Sequence, residues 1–164
     1  MIAKKSPLVL ETFFVVENRF KFIQPEEEIE DVQTDLFNEY EIDLDFTIRP
    51  ILSELDSVIK FNVYTKMGVN QLKIPKSGYS SFVEGIGAFS LSKENLTDTD
   101  VDNLTNLSSV SIMINCLRGV LMDISSNAPL GRFILPSIDV NDLLKQKSSK
   151  GKGKRKPKKK IIED

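Results

Sequence analysis

The stretch Leu104–Leu144, LTNLSSVSIMINCLRGVLMDISSNAPLGRFILPSIDVNDLL, decides the fold. Leu104, Leu107, Ile114, Leu117, Leu121 and Ile124 recur at three- and four-residue steps, which places them on one face of a helix. Val110, Met113, Cys116 and Val120 add a second stripe on the same cylinder. A helix apolar over so much of its circumference needs cover on two sides, one from the rest of the chain and one from a partner. We therefore assign Val110, Met113, Ile114, Leu117 and Leu121 to an oligomer interface. The helix is expected from about Asp100 to Ser126, opened by the acceptors Thr97, Asp98, Thr99 and Asp100 and closed before Asn127 and Pro129. Gly119 costs ~1 kcal/mol relative to alanine, and a close helix crossing would account for it. Beyond it, Leu130–Leu144 begins extended, contains Pro136 and ends in a short helix capped by Asp139 or Asn141.

Upstream of this helix the pattern is that of a sheet. Residues 11–22, ETFFVVENRFKF, are rich in β-branched and aromatic side chains, with Phe14, Val16, Phe20 and Phe22 on one parity. In EIDLDFTIRPIL, Ile42, Leu44, Phe46, Ile48 and Leu52 alternate with charged or polar neighbours, the period of a half-buried antiparallel strand. Ser57–Met67 repeats it with Ile59, Phe61, Val63 and Met67 inward, and SELD between the two predicts a hairpin. A fourth strand, YSSFVEGIGAFSLS, follows the loop GVNQLKIPKSG, and Gly85 and Gly87 within it predict a bulge or a close backbone approach. Between the first two strands, residues 23–40 form a long acidic connection in which Leu36, Phe37 and Tyr40 are the apolar residues of interest. The fold class is α+β: a four-stranded antiparallel sheet with a long helix and a short C-terminal helix on one face.

The 164 residues suit one domain of modest core. Their charge is unevenly spread. Residues 1–144 hold 12 basic and 22 acidic side chains, a net of −10, whereas residues 145–160 hold ten basic side chains and no acid. We expect a domain over residues 1–144 and a disordered basic tail over residues 145–164, because nothing apolar is present to offset the cost of ordering it. Such a tail suits nucleic acid or another polyanion such as an anionic lipid surface, and equally a solubilising role or folding back on the acidic body of opposite charge. The single cysteine, Cys116, allows no intrachain disulfide and fits a reducing, cytoplasmic setting. No run reaches the ~18 apolar residues of a membrane span, so no spanning segment is expected.

The sequence carries no recognisable catalytic motif. Histidine is absent, which removes the commonest general base and metal ligand. No phosphate-binding loop, dinucleotide fingerprint or nucleophile elbow occurs. The acidic run Glu26–Asp31 lacks calcium-loop spacing and reads as a solvated loop, and Cys116, among apolar neighbours, reads as an inert core thiol. No enzyme, cofactor or metal is expected.

The order of elements, with Phe89-Ser90-Leu91 closing the fourth strand, a long helix, and then Pro129, Phe133, Leu135, Pro136, Val140, Asp142 and Leu143, resembles the SecB family of export chaperones over residues 10–145. The resemblance implies a holding chaperone for unfolded or nascent polypeptides, assembled as a dimer of dimers through its long helices. It implies apolar grooves, here assigned to Leu36, Phe37 and Tyr40 of the crossover and Phe133, Leu135, Ile138, Val140, Leu143 and Leu144 of the end segment. It also implies docking of a translocase motor on outward carboxylates, for which Glu84 is the residue in place, although Arg19 stands where an acid is expected. A specialised form serving one client, such as an antitoxin, is a variant. The competing reading is an interaction protein that works through its basic tail.

Overall fold

A computed structural model describes residues 2–53 and 55–152, with side chains described up to Ser149. Strands β1 (Leu8–Ile23), β2 (Ile42–Ile51), β3 (Val58–Val69) and β4 (Gly78–Ser92) form one antiparallel sheet in the order β1-β4-β3-β2. Strands β2, β3 and β4 are successive neighbours, while β1 lies beyond β4. The connection from β1 to β2 must therefore cross from one edge of the sheet to the other. That crossing explains the long acidic segment, and it contains helix α1 (Val32–Asp35) and a 3-10 turn (Phe37–Glu39).

Helix α2 (Asp98–Asn103) runs through a π segment (Leu104–Ser108) into α3 (Ser109–Ser125). It starts at Thr97, whose hydroxyl accepts from the Asp100 amide while the Asp100 carboxylate accepts from the Thr97 amide. The continuous helix Asp98–Ser125 has the length and hydropathy of a membrane span, yet one side of it lies on the sheet. Val110, Met113, Ile114, Leu117 and Leu121 are all buried within the single chain. This corrects their assignment to an oligomer interface: they pack with Phe61, Val63, Met67, Val83, Phe89 and Leu91 in the core. Burial of each such side chain contributes roughly 1.5–3 kcal/mol.

The glycines of β4 let the helix come this close. A Cβ at Gly87 would stand 2.4 Å from Met113 Sδ, and one at Gly85 would stand 3.0 Å from Leu117 Cδ2 and 2.8 Å from Phe13 Cε2. Close approach is thus the reason for Gly85 and Gly87, and the irregularities lie on the partner strand, between Leu10 and Thr12 and between Val15 and Glu17 of β1. These shifts change which residues face inward. Phe13 joins Leu10, Phe20 and Phe22 against the core, whereas Phe14 and Val16, which share the parity of Phe20 and Phe22 in sequence, are about half exposed. Leu52, expected to continue the inward set of β2, lies past the strand end and is fully exposed. A Cβ at Gly119 would meet nothing within 4 Å among the described residues, so no helix crossing among them explains it.

Helix α4 (Val140–Lys152) begins where expected, with the Asp139 carboxylate accepting from the Asp142 amide. It continues eight residues beyond Leu144, the point at which disorder was expected to begin. One cause is visible at Lys147, whose ammonium group binds the Asp45 carboxylate and the Phe46 carbonyl of β2. Residues 153–164 of the expected tail lie outside the described residues.

Candidate functional site

The crossover is folded by short-range polar chemistry. Asp31 caps α1 by accepting from the Gln33 and Thr34 amides and from the Thr34 hydroxyl, and the Thr34 hydroxyl is the main reason its carboxyl titrates below the usual range. The 3-10 turn then drives Phe37 and Tyr40 inward. Both rings meet Phe133 from the end segment, at centroid distances of 5.2 Å and 5.9 Å, and Phe37 also meets Tyr79 of β4 at 5.3 Å. Phe20 and Phe22 of β1 complete the cluster around Tyr79.

Two hydroxyls lock this aromatic knot. Tyr40 Oη donates to the Ser77 carbonyl at 2.9 Å and accepts from the Tyr79 amide at 2.7 Å. Tyr79 Oη donates to the Gly131 carbonyl and accepts from the Leu130 amide, each at 2.8 Å. Burial raises the pKa of both phenols, which keeps them protonated and able to donate. Ser125, at the end of α3, accepts from the Phe133 amide at 2.8 Å. Nearby, buried Asn70 holds the β3–β4 loop by donating to the Lys76 and Tyr79 carbonyls and accepting from the Lys76 amide. Gly78 has φ +93°, and a Cβ there would fall 2.1 Å from Tyr40 Oη, so the knot requires glycine at that position. On the outside, Lys76 bridges to Glu39 at 2.9 Å, and this hydrogen bond is the main cause of the lowered Glu39 carboxyl pKa.

The residues expected to line a groove divide accordingly. Phe37, Tyr40, Phe133 and Leu135 are buried in the knot and line no open surface within the chain, which corrects that part of the assignment. Leu36, Ile138, Val140, Leu143 and Leu144 are half-buried and pack at the margin of the core. All of these but Leu144 line concave surfaces. A cavity of about 430 Å³ under the crossover is lined by Pro25, Glu26, Ile29, Asp35, Leu36 and Ser77, among others. A second, of about 220 Å³, lies between α3 and the end segment and is lined by Ile114, Asn115, Arg118, Ser137, Ile138 and Val140. Arg118 bonds the Pro136 carbonyl at 3.2 Å and so holds the segment along the helix. Leu143 and Lys147 stand beside Leu44, Asp45 and Phe46 of β2.

Glu84 lies on the opposite, outward face of the sheet, with its side chain only 18% exposed and 3.2 Å from Lys66. In register, Asp45, Lys66, Glu84 and Glu17 make a row of mixed sign across the four strands. Arg19 pairs with Glu17 and stacks on Phe82, so this face presents no acidic patch. Among the described residues no group of three or more His, Cys, Asp or Glu is placed to hold a metal ion. Burial raises the pKa of the Cys116 thiol, which lowers its reactivity. The residue pattern singled out Tyr40 and the family resemblance Phe133, but neither pointed to Tyr79, Ser125 or Asn70. Their roles depend on hydrogen bonds to carbonyls and amides far away in sequence.

No family model matches the sequence, and no curated protein does. Among solved structures, the chain is similar to a SecB-like chaperone of Mycobacterium tuberculosis in complex with a ChAD peptide from the HigA1 antitoxin. The TM-score is 0.47 and the identity 9%, over 80% of this chain and 91% of that one. It is also similar to a protein of unknown function from Streptococcus agalactiae, with a TM-score of 0.44 and 11% identity over 80% of this chain and 97% of that one. Each likeness concerns the backbone alone; the chain itself is a four-stranded antiparallel sheet backed by a long helix.

Proposed function

We propose that this chain is a holding chaperone, which captures non-native polypeptide on apolar surface and releases it without nucleotide or cofactor. The observation that carries the reading is the half-buried strip Ile138, Val140, Leu143 and Leu144, on an end segment that packs against the body without being sealed by it. Leu36 beneath the crossover provides a second contact. Apolar contact contributes about 25 cal/mol per Å² buried and asks for no motif, so such a surface accepts many sequences. Clients are export-bound chains or a dedicated partner such as an antitoxin, met in the cytoplasm. No motor docking is proposed on Glu84, since Lys66 already occupies its carboxylate.

Assembly into an oligomer belongs to the same proposal, on different residues from those first assigned. Strand β1 is a sheet edge of 16 residues along which Val9, Phe14, Val15 and Val16 are exposed. A long apolar edge of this kind pairs with another chain unless it is covered. Ile112, Cys116, Val120 and Met122 remain half-exposed on α3 beside Gly119, where a second helix could approach closely. Light scattering should give a multiple of the chain mass, reduced by Gly119→Trp. A wild-type monomer at micromolar concentration rejects the assembly. The chaperone reading is tested by aggregation of a refolding client. The wild type should suppress it at stoichiometric amounts, and failure to do so rejects the reading.

A further inference from the structure

We propose that a non-native polypeptide binds this chain as an added strand, hydrogen-bonded through its main chain to the free edge of β2. The inference rests on the chaperone reading and says how the client is held. Strand β2 ends the sheet, with β3 on one side and no strand on the other among the described residues. Three observations show which of its main-chain groups face the open side. The Glu41 carbonyl, just before the strand, accepts from the Asn70 amide just past β3, so odd-numbered residues turn their polar groups toward β3. The Phe46 carbonyl is reached from outside the sheet by the Lys147 ammonium group at 2.6 Å, so even-numbered residues turn theirs outward. Pro50, also even-numbered, has no N–H and still pairs in register opposite Phe61, as a proline can only where its nitrogen faces a free edge. The amides and carbonyls of Ile42, Leu44, Phe46 and Ile48 therefore form one row along the edge. Among the described residues, that row's one hydrogen bond is the contact of Lys147 with the Phe46 carbonyl.

Such a row offers donors and acceptors at the spacing that another extended main chain needs. Lys147 guards it lightly. Its side chain is 41% exposed, and it can yield the carbonyl to an incoming amide. The side chains on both faces suit the same occupant. Leu44 and Phe46 face the core beside Leu143, so apolar residues of an added strand would continue the strip on α4. Asp43 and Asp45 are exposed on the other face, where the alternate residues of that strand would be cationic. A second copy of β2 fits less well, because its own Asp43 and Asp45 would join these carboxylates on one face.

The probe is an acetylated and amidated peptide of about eight residues, alternating valine and lysine, long enough to span Ile42 to Ile48. It is titrated into the isotope-labelled full chain and followed by NMR. Two analogues carry main-chain N-methyl groups, one at every valine and the other at every lysine. Alternate amides of a strand face the same side, so one analogue loses its bonds to β2 and the other keeps them. Binding should weaken at least about tenfold in one analogue and match the parent peptide in the other. Loss in the valine analogue marks an antiparallel added strand, and loss in the lysine analogue a parallel one. Amide exchange at Leu44, Phe46 and Ile48 should slow with the parent peptide, while Asp43, Asp45 and Thr47, bonded toward β3, are unchanged. Analogues that bind alike overturn the proposal, as does a parent peptide that fails to bind at about 1 mM. Protection of Leu44, Phe46 and Ile48 in the protein alone, lost on dilution, would put a second copy on the edge and overturns it as well. Suppression of client aggregation is read separately. If it holds while the analogues bind alike, strand addition fails and the chaperone reading stands; if it fails while the analogues differ, the reverse is true.

Discussion

Phe133 and Leu143 lie ten residues apart on one end segment. Phe133 is 3% exposed, gripped by Phe37 and Tyr40 of the crossover, while Leu143 is half-buried on a helix whose exposed residues up to Ser149 are polar. Both are large and apolar, and hydropathy does not separate them. The difference comes from the polar groups on either side. Around Phe133 the backbone is held by Ser125 Oγ at Phe133 itself, in the interior, and by Tyr79 Oη at Leu130 and Gly131, partly buried. Around Leu143 the holding groups are the Asp139 cap and the Lys147–Asp45 pair, both in contact with solvent. Buried hydrogen bonds leave a costly orphan when broken, about 1–3 kcal/mol, whereas exposed ion pairs contribute about 0–1 kcal/mol. The aromatic knot is therefore a permanent fastening, and the strip Ile138–Leu144 is the part able to exchange its own contacts for those of a client.

The widest separation between the two regions should come from Phe133→Ala, which empties the knot and should cost about 3–5 kcal/mol in denaturant unfolding. A cost under about 1 kcal/mol would mean that the knot is no fastening. Next in size, Tyr79→Phe keeps the ring and removes the hydroxyl that serves Leu130 and Gly131, for an expected loss of about 1–3 kcal/mol by the same measurement. Leu143→Asp should behave in the opposite way. Stability should fall by only about 1 kcal/mol, while client affinity, read by titration with an unfolded polypeptide, falls at least tenfold. The smallest effect is that of pH on Glu39. Its carboxyl pKa is lowered in the folded chain, so its contribution is present above the ordinary glutamate value and is lost as pH falls through the lowered one. The difference in melting temperature between wild type and Glu39→Gln should accordingly close on acidification, and a difference that widens would contradict the assignment.

Much of the fold was legible in the sequence because it rests on period. The alternation Ile42, Leu44, Phe46, Ile48 and the matching set Phe61, Val63, Met67 admit one inward face each, and the capping residues at Thr97 fix the start of the long helix. What period cannot show is a shift of register. The two irregularities in β1 turned Phe14 outward and Phe13 inward, and they are set by the pairing with β4. Nor does period show which of two apolar stripes a sheet will claim. Met113 of the second stripe lies over Gly87 and Leu117 of the first over Gly85, so the close approach at these glycines buries residues of both. In the candidate site, the aromatic and aliphatic residues were recognisable by type, but their division into knot and strip depends on Tyr79, Ser125 and Asn70. The partners of these polar residues are assembled only in the folded chain.

The most direct test of the division is hydrogen exchange of the full chain, measured by mass spectrometry with and without an excess of a permanently unfolded polypeptide. Client binding should slow exchange over residues 138–147 and leave residues 37–40 and 130–135 as protected as before. Slowing confined to residues 37–40 and 130–135, with 138–147 unchanged, would place the client on the knot and contradict the assignment of the strip.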